Sequence, residues 1–306
     1  MSGAAVTAVI VTYHPELDAL GALLALVAPQ VRDVVVVDNG SGPELAEWLA
    51  GAHPQAHFIA LHANLGIAAA QNAGIAWARQ HQADYVILFD HDSEPAPDMV
   101  ARLTEAASSL RQSGHTIAAV GPRFCDERQD NPPPFIYVEG WRLRRRQCAT
   151  AEAVVPSTYL ISSGCLMPMQ ALDAVGGMDE RLFIDYVDTE WGLRAGHMGL
   201  SCFGVCSAHM QHRLGDAPLR FMGRPVPLHS PLRHYYHMRN AVWLYRQPHI
   251  PAGWKRADGL RLLQKYIFYT LFAPQGLRHW RMMTLGIWHG LRGRLGPIAK
   301  KPQARP

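Results

Sequence analysis

The sequence predicts an α/β protein: a mainly parallel sheet flanked by helices, followed by a C-terminal helical extension. Three observations carry this. Uninterrupted apolar runs of strand length recur, segments with helical spacing separate them, and polar residues cluster just past the ends of the runs. In open α/β sheets that edge is where ligands bind.

The elements follow in order. "AVTAVIVTYH" is a first strand, ending in Thr12, Tyr13 and His14. From Glu16 to Val27 a stripe of Leu17, Leu20, Leu24 and Val27 has helical spacing. "DVVVVDNGSG" is a second strand ending in Asp38, Asn39 and a glycine turn, and a helix is expected over Pro43 to Leu49. "HFIAL" is a third strand. After an Asn-Leu-Gly turn, "IAAAQNAGIAWARQ" is an alanine-rich helix, and "DYVILFD" is the fourth strand. Beyond residue 115 the pattern loosens. "TIAAVGPRF" reads as a strand, "DNPPP" with "WRLRRRQ" as a loop or edge insertion, and "STYLISSGCLMP" as a strand carrying Ser163 and Gly164. A helix begins near Asp188, "LSCFGVCSAHMQH" returns as a strand, and "SPLRHYYHMRNAVWLYRQ" and "DGLRLLQKYIFYTLF" are helical in period.

The chain has 306 residues, 48% apolar and 18% charged, so extensive disorder is excluded. Five cysteines do not look like a disulfide framework, which makes a reducing compartment the default. The N-terminus lacks a basic start and cleavage site, and no run approaches the roughly 20 apolar residues that a membrane span requires. Charge divides the chain. Residues 217–306 hold 16 Lys or Arg and one acid, Asp258, leaving 13 basic and 24 acidic residues in the first 216. Net charges of about −11 and +15 imply two jobs, with the basic part facing an anionic partner. No G-x-G-x-x-G follows the first strand, and neither a P-loop nor a G-x-S-x-G elbow occurs.

"VILFDHDSEP" supplies the sharpest chemistry. In an extended chain, Asp90 and Asp92 point to one side and His91 to the other. Two hard carboxylates suit Mg²⁺ or Mn²⁺, which keep open positions for phosphate oxygens. At this point the alternative stands that both acids only cap the next turn.

"VTYHPE", "VVVDNGS", "NLGIAAAQNAGI", "LFDHDSEP", "SSGCLMP", "FIDYVDTEWGLRA" and "HMQHRLGD" occur in the order found in family 2 glycosyltransferases of the GT-A fold. Over about residues 5 to 245 the chain resembles that family, in particular the bacterial rhamnosyltransferases of O-antigen and similar polysaccharides. The resemblance implies a catalytic domain over 1–228, with a nucleotide-sugar half to about 115 and an acceptor half over 116–228, and the basic extension over 229–306. It assigns Asp90 and Asp92 to the metal and donor diphosphate, with His212 as third metal ligand. Asp38 would hold the nucleoside near the backbone of Thr12 and Tyr13. Asn64, Gly66 and Asn72 fall on the nucleotide side, and Ser163 and Gly164 join the substrate-binding set. Asp188 matches the catalytic base of an inverting transfer, with Asp185 as the neighbouring acid. Turn formation at Asp38 and helix capping at Asp188 are the alternative roles.

Other groups are read as structural. Glu190 and Arg194 form a helix-surface pair, and His209 is a core histidine. Cys202, Cys206, His209 and His212 lack the C-x₂-C clip and one strand parity, so structural zinc is not expected. Trp141 and Arg142 are read as a solvated basic loop, with lining of the site as the alternative. In the tail, Leu260, Leu263, Ile267 and Leu271 share a helical stripe interleaved with Arg261 and Lys265. The expectation is an amphipathic surface on an anionic membrane, against the alternative of core helices with a basic outer face. No nucleic-acid motif occurs. The resemblance thus implies transfer of L-rhamnose from dTDP-L-rhamnose to a glycan acceptor, with a lipid-diphosphate-linked one as the form expected; the cysteines and the basic tail add the expectation of a cytoplasmic enzyme peripheral on the inner face of the membrane. UDP-galactofuranose or UDP-N-acetylglucosamine as donor, and a non-catalytic nucleotide-sugar-binding scaffold, are the competing expectations.

Overall fold

The first four apolar runs become parallel neighbours. They are β1 (Val6–Thr12), β2 (Asp33–Asp38), β3 (His57–Ala60) and β4 (Tyr85–Asp90), joined by α1 (Leu17–Val27), α2 (Pro43–Ala52) and α3 (Ile67–Gln80). The computed structural model describes residues 4–125, 133–212, 219–221, 224–226 and 228–298, with backbone alone at 125, 212, 219–221 and 224–226. The strand order β3-β2-β1-β4 reverses direction at β1, which opens a crevice between the carboxyl ends of β1 and β4. Thr12 pairs with Asp38 and Val11 with Asp90, so the ends of β1, β2 and β4 are level.

The second half extends the sheet. β5 (Ser93–Pro95), α4 (Met99–Gln112), β6 (Ile117–Cys125), the hairpin β7 (Phe135–Glu139) and β8 (Arg142–Arg146), β9 (Val154–Ser157) and β10 (Leu166–Pro168) come next. Then follow α5 (Met169–Val175), α6 (Val187–His197) and β11 (Ser201–His212). Beyond β4 the order is β10-β6-β11-β5, with β9 also on β11; β11 runs parallel to β6, while β5, β9 and β10 pair antiparallel. α7 (Pro231–Tyr245), α8 (Ala252–Phe272) and α9 (Gly276–Leu291) close the chain.

Alternation along the buried strands divides the core. Val9 and Val11 of β1 face one cluster with α3, α5 and α6, while Ala8 and Ile10 face the other with α1, α2 and α4. Alanines and Gly74 let α3 lie close to the sheet, because a Cβ at Gly74 would enter the Val9 side chain. The first cluster continues into the C-terminal helices through Met238, Leu244, Trp254 and Met283.

Several expectations change. The run 158–168 is not one strand: Gly164 sits at φ 73°, in the left-handed region, so only Leu166–Pro168 pairs. "WRLRRRQ" and the segment before it, expected as a loop or edge insertion, form the antiparallel β7–β8 hairpin. Cys148 and Cys206 form a disulfide with Cα atoms 5.8 Å apart, although an odd count of cysteines suggested none. An odd total says nothing about one pair that folding brings together. The same bond removes Cys206 from any zinc site. β11 shifts register between Val205 and His209, which breaks the strand parity read across that segment and leaves His209 exposed instead of in the core. Glu190 is buried, so its pair with Arg194 (2.9 Å) is not a surface pair; Arg194 also donates to the Val175 and Gly177 carbonyls.

Candidate active site

The polar residues at the sheet edge build the site from β2 outward. Asp38 is buried, and one carboxylate oxygen accepts from Thr12 Oγ1 at 3.2 Å and from Ser41 Oγ. The other oxygen takes the backbone N–H groups of Gly40 and Ser41 at 3.3 and 2.9 Å. Asp38 therefore forms the turn at the carboxyl end of β2. Tyr13 is exposed beside His14, past the end of β1.

Asn64 faces this turn. Its Oδ1 accepts from Asn39 Nδ2 at 3.2 Å and Gly66 N at 3.0 Å, while Asn39 Oδ1 takes Leu65 N at 2.8 Å. Gly66 is needed because φ is 94° and a Cβ would lie 2.5 Å from the Phe183 carbonyl oxygen. That carbonyl accepts from Ile67 N at 2.8 Å, which ties the nucleotide-side turn to the loop before α6. Asn72 is engaged elsewhere. Its amide bonds the backbone of Met178 (3.0 and 2.8 Å) and Glu180 Oε1 (2.8 Å), so it holds the segment before α6.

β4 delivers Asp90 to the edge, and residues 91–92 turn into β5. Asp92 therefore lies in a turn, and strand alternation does not govern the pair as the sequence suggested. Ser163 fixes this turn from behind: its buried Oγ receives Asp90 N at 3.2 Å and lies 2.6 Å from Ser93 Oγ. Gly164 N donates to Leu88 O at 2.7 Å. Antiparallel pairing sets position 212 opposite Ser93, next to Asp92 in sequence. The His212 side chain and residues 213–216 of "HMQHRLGD" lie outside the described residues. Among the described residues no three His, Cys, Asp or Glu side chains gather as a metal cluster. Two carboxylates at a strand end nonetheless have the chemistry that a hard divalent cation takes.

α6 brings the remaining acid. Asp188 lies in its first turn, partly buried, where Oδ1 accepts from Thr189 N at 2.7 Å and Thr189 Oγ1 at 3.3 Å. Leu160, Met167, Met178 and Trp191 line the same small cavity. Burial against these walls pushes the Asp188 carboxyl up to about 6; the Thr189 bonds oppose this, and the charges of Asp90 and Asp185 add to it. Phe183, Asp185 and Tyr186 all have positive φ, near 65°, a costly run for non-glycine residues. Asp185 Oδ1 meets Arg233 Nε at 3.3 Å, and its buried Oδ2 accepts no hydrogen bond among the described residues.

What holds that run is a pair of residues that sequence reasoning missed. Asn240 Nδ2 lies 2.9, 2.7 and 2.9 Å from the carbonyl oxygens of Leu182, Ile184 and Asp185. Arg239 donates to Leu182 O at 2.8 Å, to Asn240 Oδ1 at 2.9 Å and to Gly296 O. Both side chains are 0% exposed. The available signal was two polar residues, Arg239 and Asn240, set on the buried stripe of an otherwise aromatic and apolar helix face.

A twisted α/β sheet with an acid pair at the end of β4, and a further carboxyl on the helix beside it, defines a glycosyltransferase of the GT-A fold. Solved structures agree on the fold. GalNAc-T7 with UDP, GalNAc and Mn²⁺ superposes with a TM-score of 0.59 at 13% identity, covering 94% of this chain and 56% of that one. Residues 1–349 of TarS from S. aureus give 0.56 at 14% identity, covering 95% and 82%.

The chain belongs to glycosyl transferase family 2, whose model matches residues 8–171. It is 38% identical to the dTDP-rhamnosyl transferase RfbF of Shigella flexneri over 80% of this chain and 81% of that protein. It is 28% identical to the galactofuranosyltransferase GlfT1 of Mycolicibacterium smegmatis over 92% and 96%. It is likewise 28% identical to the N-acetylglucosaminyl-diphospho-decaprenol L-rhamnosyltransferase of Mycobacterium tuberculosis (strain ATCC 25618 / H37Rv) over 67% and 74%.

Proposed function

We propose that this chain is an inverting, divalent-metal-dependent rhamnosyltransferase. It moves L-rhamnose from dTDP-L-rhamnose to a lipid-linked glycan acceptor in cell-surface polysaccharide synthesis. The observation that carries the reading is the 38% identity to a dTDP-rhamnosyl transferase over 80% of this chain, a span long enough to include Asp90, Asp92 and Asp188.

In this mechanism the turn at Asp38, with Thr12, Tyr13, Asn64 and Gly66, receives the nucleoside. Asp90, Asp92 and His212 would hold Mg²⁺ or Mn²⁺, which when bound offsets the negative charge of the diphosphate leaving group. Asp188 Oδ1 is engaged by Thr189, which leaves Oδ2 to take the proton of the acceptor hydroxyl. The acceptor oxygen forms its bond to the anomeric carbon as the bond from that carbon to the diphosphate oxygen breaks. The proton ends on Asp188 and the electron pair on the diphosphate. A carboxyl that titrates at about 6 is ionised at neutral pH yet basic enough to accept that proton.

A second donor is favoured by one observation: the galactofuranosyltransferase relative aligns over 92% of this chain and 96% of its own length. A panel of nucleotide sugars separates the two by thermal stabilisation and by transfer, with and without Mn²⁺. dTDP-L-rhamnose should raise Tm most, and more with metal. A larger shift with UDP-galactofuranose would replace the donor.

The same proposal places the enzyme at the inner face of the membrane. Among the described residues no helix is long and apolar enough to cross a bilayer. α8 and α9 instead expose Leu260, Leu263, Ile267, Leu271, Trp280 and Trp288 beside Arg256, Arg278 and Arg281. Aromatic and aliphatic side chains among cations suit an anionic lipid surface.

A further inference from the structure

The only acid of the basic segment, Asp258, is buried. Its Oδ2 accepts from the Tyr186 hydroxyl at 2.9 Å and the Tyr245 hydroxyl at 2.7 Å, and Arg261 Nη2 approaches Oδ1 at 3.8 Å. Cations gather around this group on the side of the acid loop. Arg233 and His237 stand one turn apart on α7, Arg261 and Lys265 one turn apart on α8. His237 Nε2 lies 3.3 Å from the Tyr186 hydroxyl and 3.4 Å from Lys265 Nζ. Arg233 bonds Asp185.

Lys265 is the informative member. Among the described residues its one hydrogen-bonding neighbour is the His237 ring, and no carboxylate pairs with it. Burial is the main cause that lowers its ammonium to about 8, and Arg261 adds to this, with Asp258 and Asp185 opposing. The same burial, together with Lys265 and Arg261, holds His237 well below its ordinary value. A half-buried ammonium crowded by a guanidinium carries an unmet demand for negative charge.

We propose that Lys265 and Arg261, with Arg233 and His237, form the subsite that binds the diphosphate of the acceptor. This rests on the reading of Asp188 as the base. Its position supports the assignment: Tyr186, which contacts both Asp258 and His237, precedes α6, so the cations border the loop that presents Asp185 and Asp188. The chemistry supports it as well, since ammonium and guanidinium groups supply only donors, matched to phosphate oxygens. On α8, Arg261 and Lys265 stand between the buried face of Asp258, Leu262 and Tyr269 and the exposed stripe of Leu260, Leu263, Ile267 and Leu271. A diphosphate held there lets its lipid chain leave along that stripe.

The test uses farnesyl diphosphate and uncharged farnesol as probes, with the full chain and no divalent cation, so that Asp90 and Asp92 do not contribute. Wild type should bind the diphosphate at least about tenfold more tightly than farnesol. Lys265→Gln and Arg261→Gln should each weaken the diphosphate about tenfold, the scale of one charge-assisted hydrogen bond, and leave farnesol unchanged. Lys265→Arg should restore most of the loss. Two variants on different turns keep the test open if one does not fold. Equal binding of the two probes, unchanged affinity in both variants, or competition by dTDP would overturn the assignment. Phosphatidylglycerol vesicles distinguish the other source of phosphate: vesicle binding that falls in parallel with the probe would assign the cations to lipid headgroups and overturn the acceptor subsite. Asp188→Asn separates this inference from its premise. If that variant still transfers sugar, the base assignment falls while probe binding still reports the cations.

Discussion

The side-chain amide of Asn240 donates to the backbone carbonyl of Asp185 at 2.9 Å, from a helix 55 positions further along the chain. One amide nitrogen with two hydrogens serves this carbonyl and those of Leu182 and Ile184, so its bonds are shared. The loop it holds has three residues at positive φ and leads directly into the helix of Asp188. The C-terminal segment thus shapes the acid loop as well as offering a surface.

Removing that donor should unsettle the loop before anything else. Asn240→Ala leaves buried carbonyls unpaired, at about 1–3 kcal/mol, and should lower Tm by several degrees. With Asp188 displaced, kcat should fall about 10- to 100-fold while the donor KM changes little. Asn240→Asp, isosteric but without N–H donors, should do worse than alanine. Steady-state kinetics beside thermal unfolding decide this. Wild-type kcat in either variant would mean that the loop holds itself.

Asp188 should show opposite signs in activity and stability. Its folded carboxyl titrates at about 6 and the ordinary value is 3.8, so the folded state holds the proton more tightly. Well below pH 3.8 both states are protonated and no penalty exists. Stability then falls as pH rises from about 3.8 to about 6, and above that the buried charge costs no more than about 3 kcal/mol. Asp188→Asn should therefore melt higher than wild type at pH 7.5, with the difference shrinking towards zero as pH falls below 3.8. Its transfer rate should be lower by about 10²- to 10⁴-fold. Wild-type turnover should rise with pH through an inflection near 6. A variant that is no more stable at neutral pH would refute the buried-charge account.

At Gly66 the expectation is steric. An alanine in its place would have to adopt φ near 94° and put its Cβ 2.5 Å from the Phe183 carbonyl oxygen. Gly66→Ala should cost about 1–3 kcal/mol, seen as a lower Tm. Both donor KM and kcat should worsen, because one contact joins the nucleotide-side turn to the acid loop. If KM alone moved, the coupling through Phe183 would be absent.

How far the sequence reveals this site follows from distance along the chain. The β1 to β4 region is legible because strands buried on both faces leave unbroken apolar runs, and their polar ends then mark the ligand edge. Asp38 and Asp90 end such runs, and Asp188 lies in the first turn of a recognisable helix. Elsewhere local pattern is overridden. Gly164 breaks what reads as one strand, and the register shift after Val205 breaks the strand parity that is one ground for not expecting zinc on β11. Asn72 reads as nucleotide-facing yet bonds Met178 and Glu180, more than a hundred positions away. Arg239 and Asn240 look like two polar residues on a basic helix until their partners at 182–185 are in place.

Ser163 offers a test of the acid pair. Its hydroxyl receives Asp90 N and meets Ser93 Oγ, so it fixes both ends of the turn that contains Asp92. Ser163→Ala should raise the Mn²⁺ concentration for half-maximal activity severalfold while stability falls by about 1 kcal/mol. Metal titration of turnover at saturating donor measures it. An unchanged Mn²⁺ requirement would separate this hydroxyl from the metal.

The exposed stripe of α8 makes the last prediction. Leu263 and Ile267 are 56% and 50% exposed, so charging them removes little packing and should shift stability by less than about 0.5 kcal/mol. Arg256, Arg278 and Arg281 are exposed on the same helical pair, and each cation near an anionic surface contributes about 1 kcal/mol at low salt. Wild type should therefore sediment with phosphatidylglycerol vesicles at low ionic strength and detach as salt rises. The doubly substituted Leu263→Glu, Ile267→Glu chain loses apolar contact and gains two negative charges, so it should stay in the supernatant. Its turnover with a water-soluble acceptor should match wild type, whereas turnover with a vesicle-embedded acceptor should fall. Equal sedimentation of the two proteins would assign the stripe to something other than lipid.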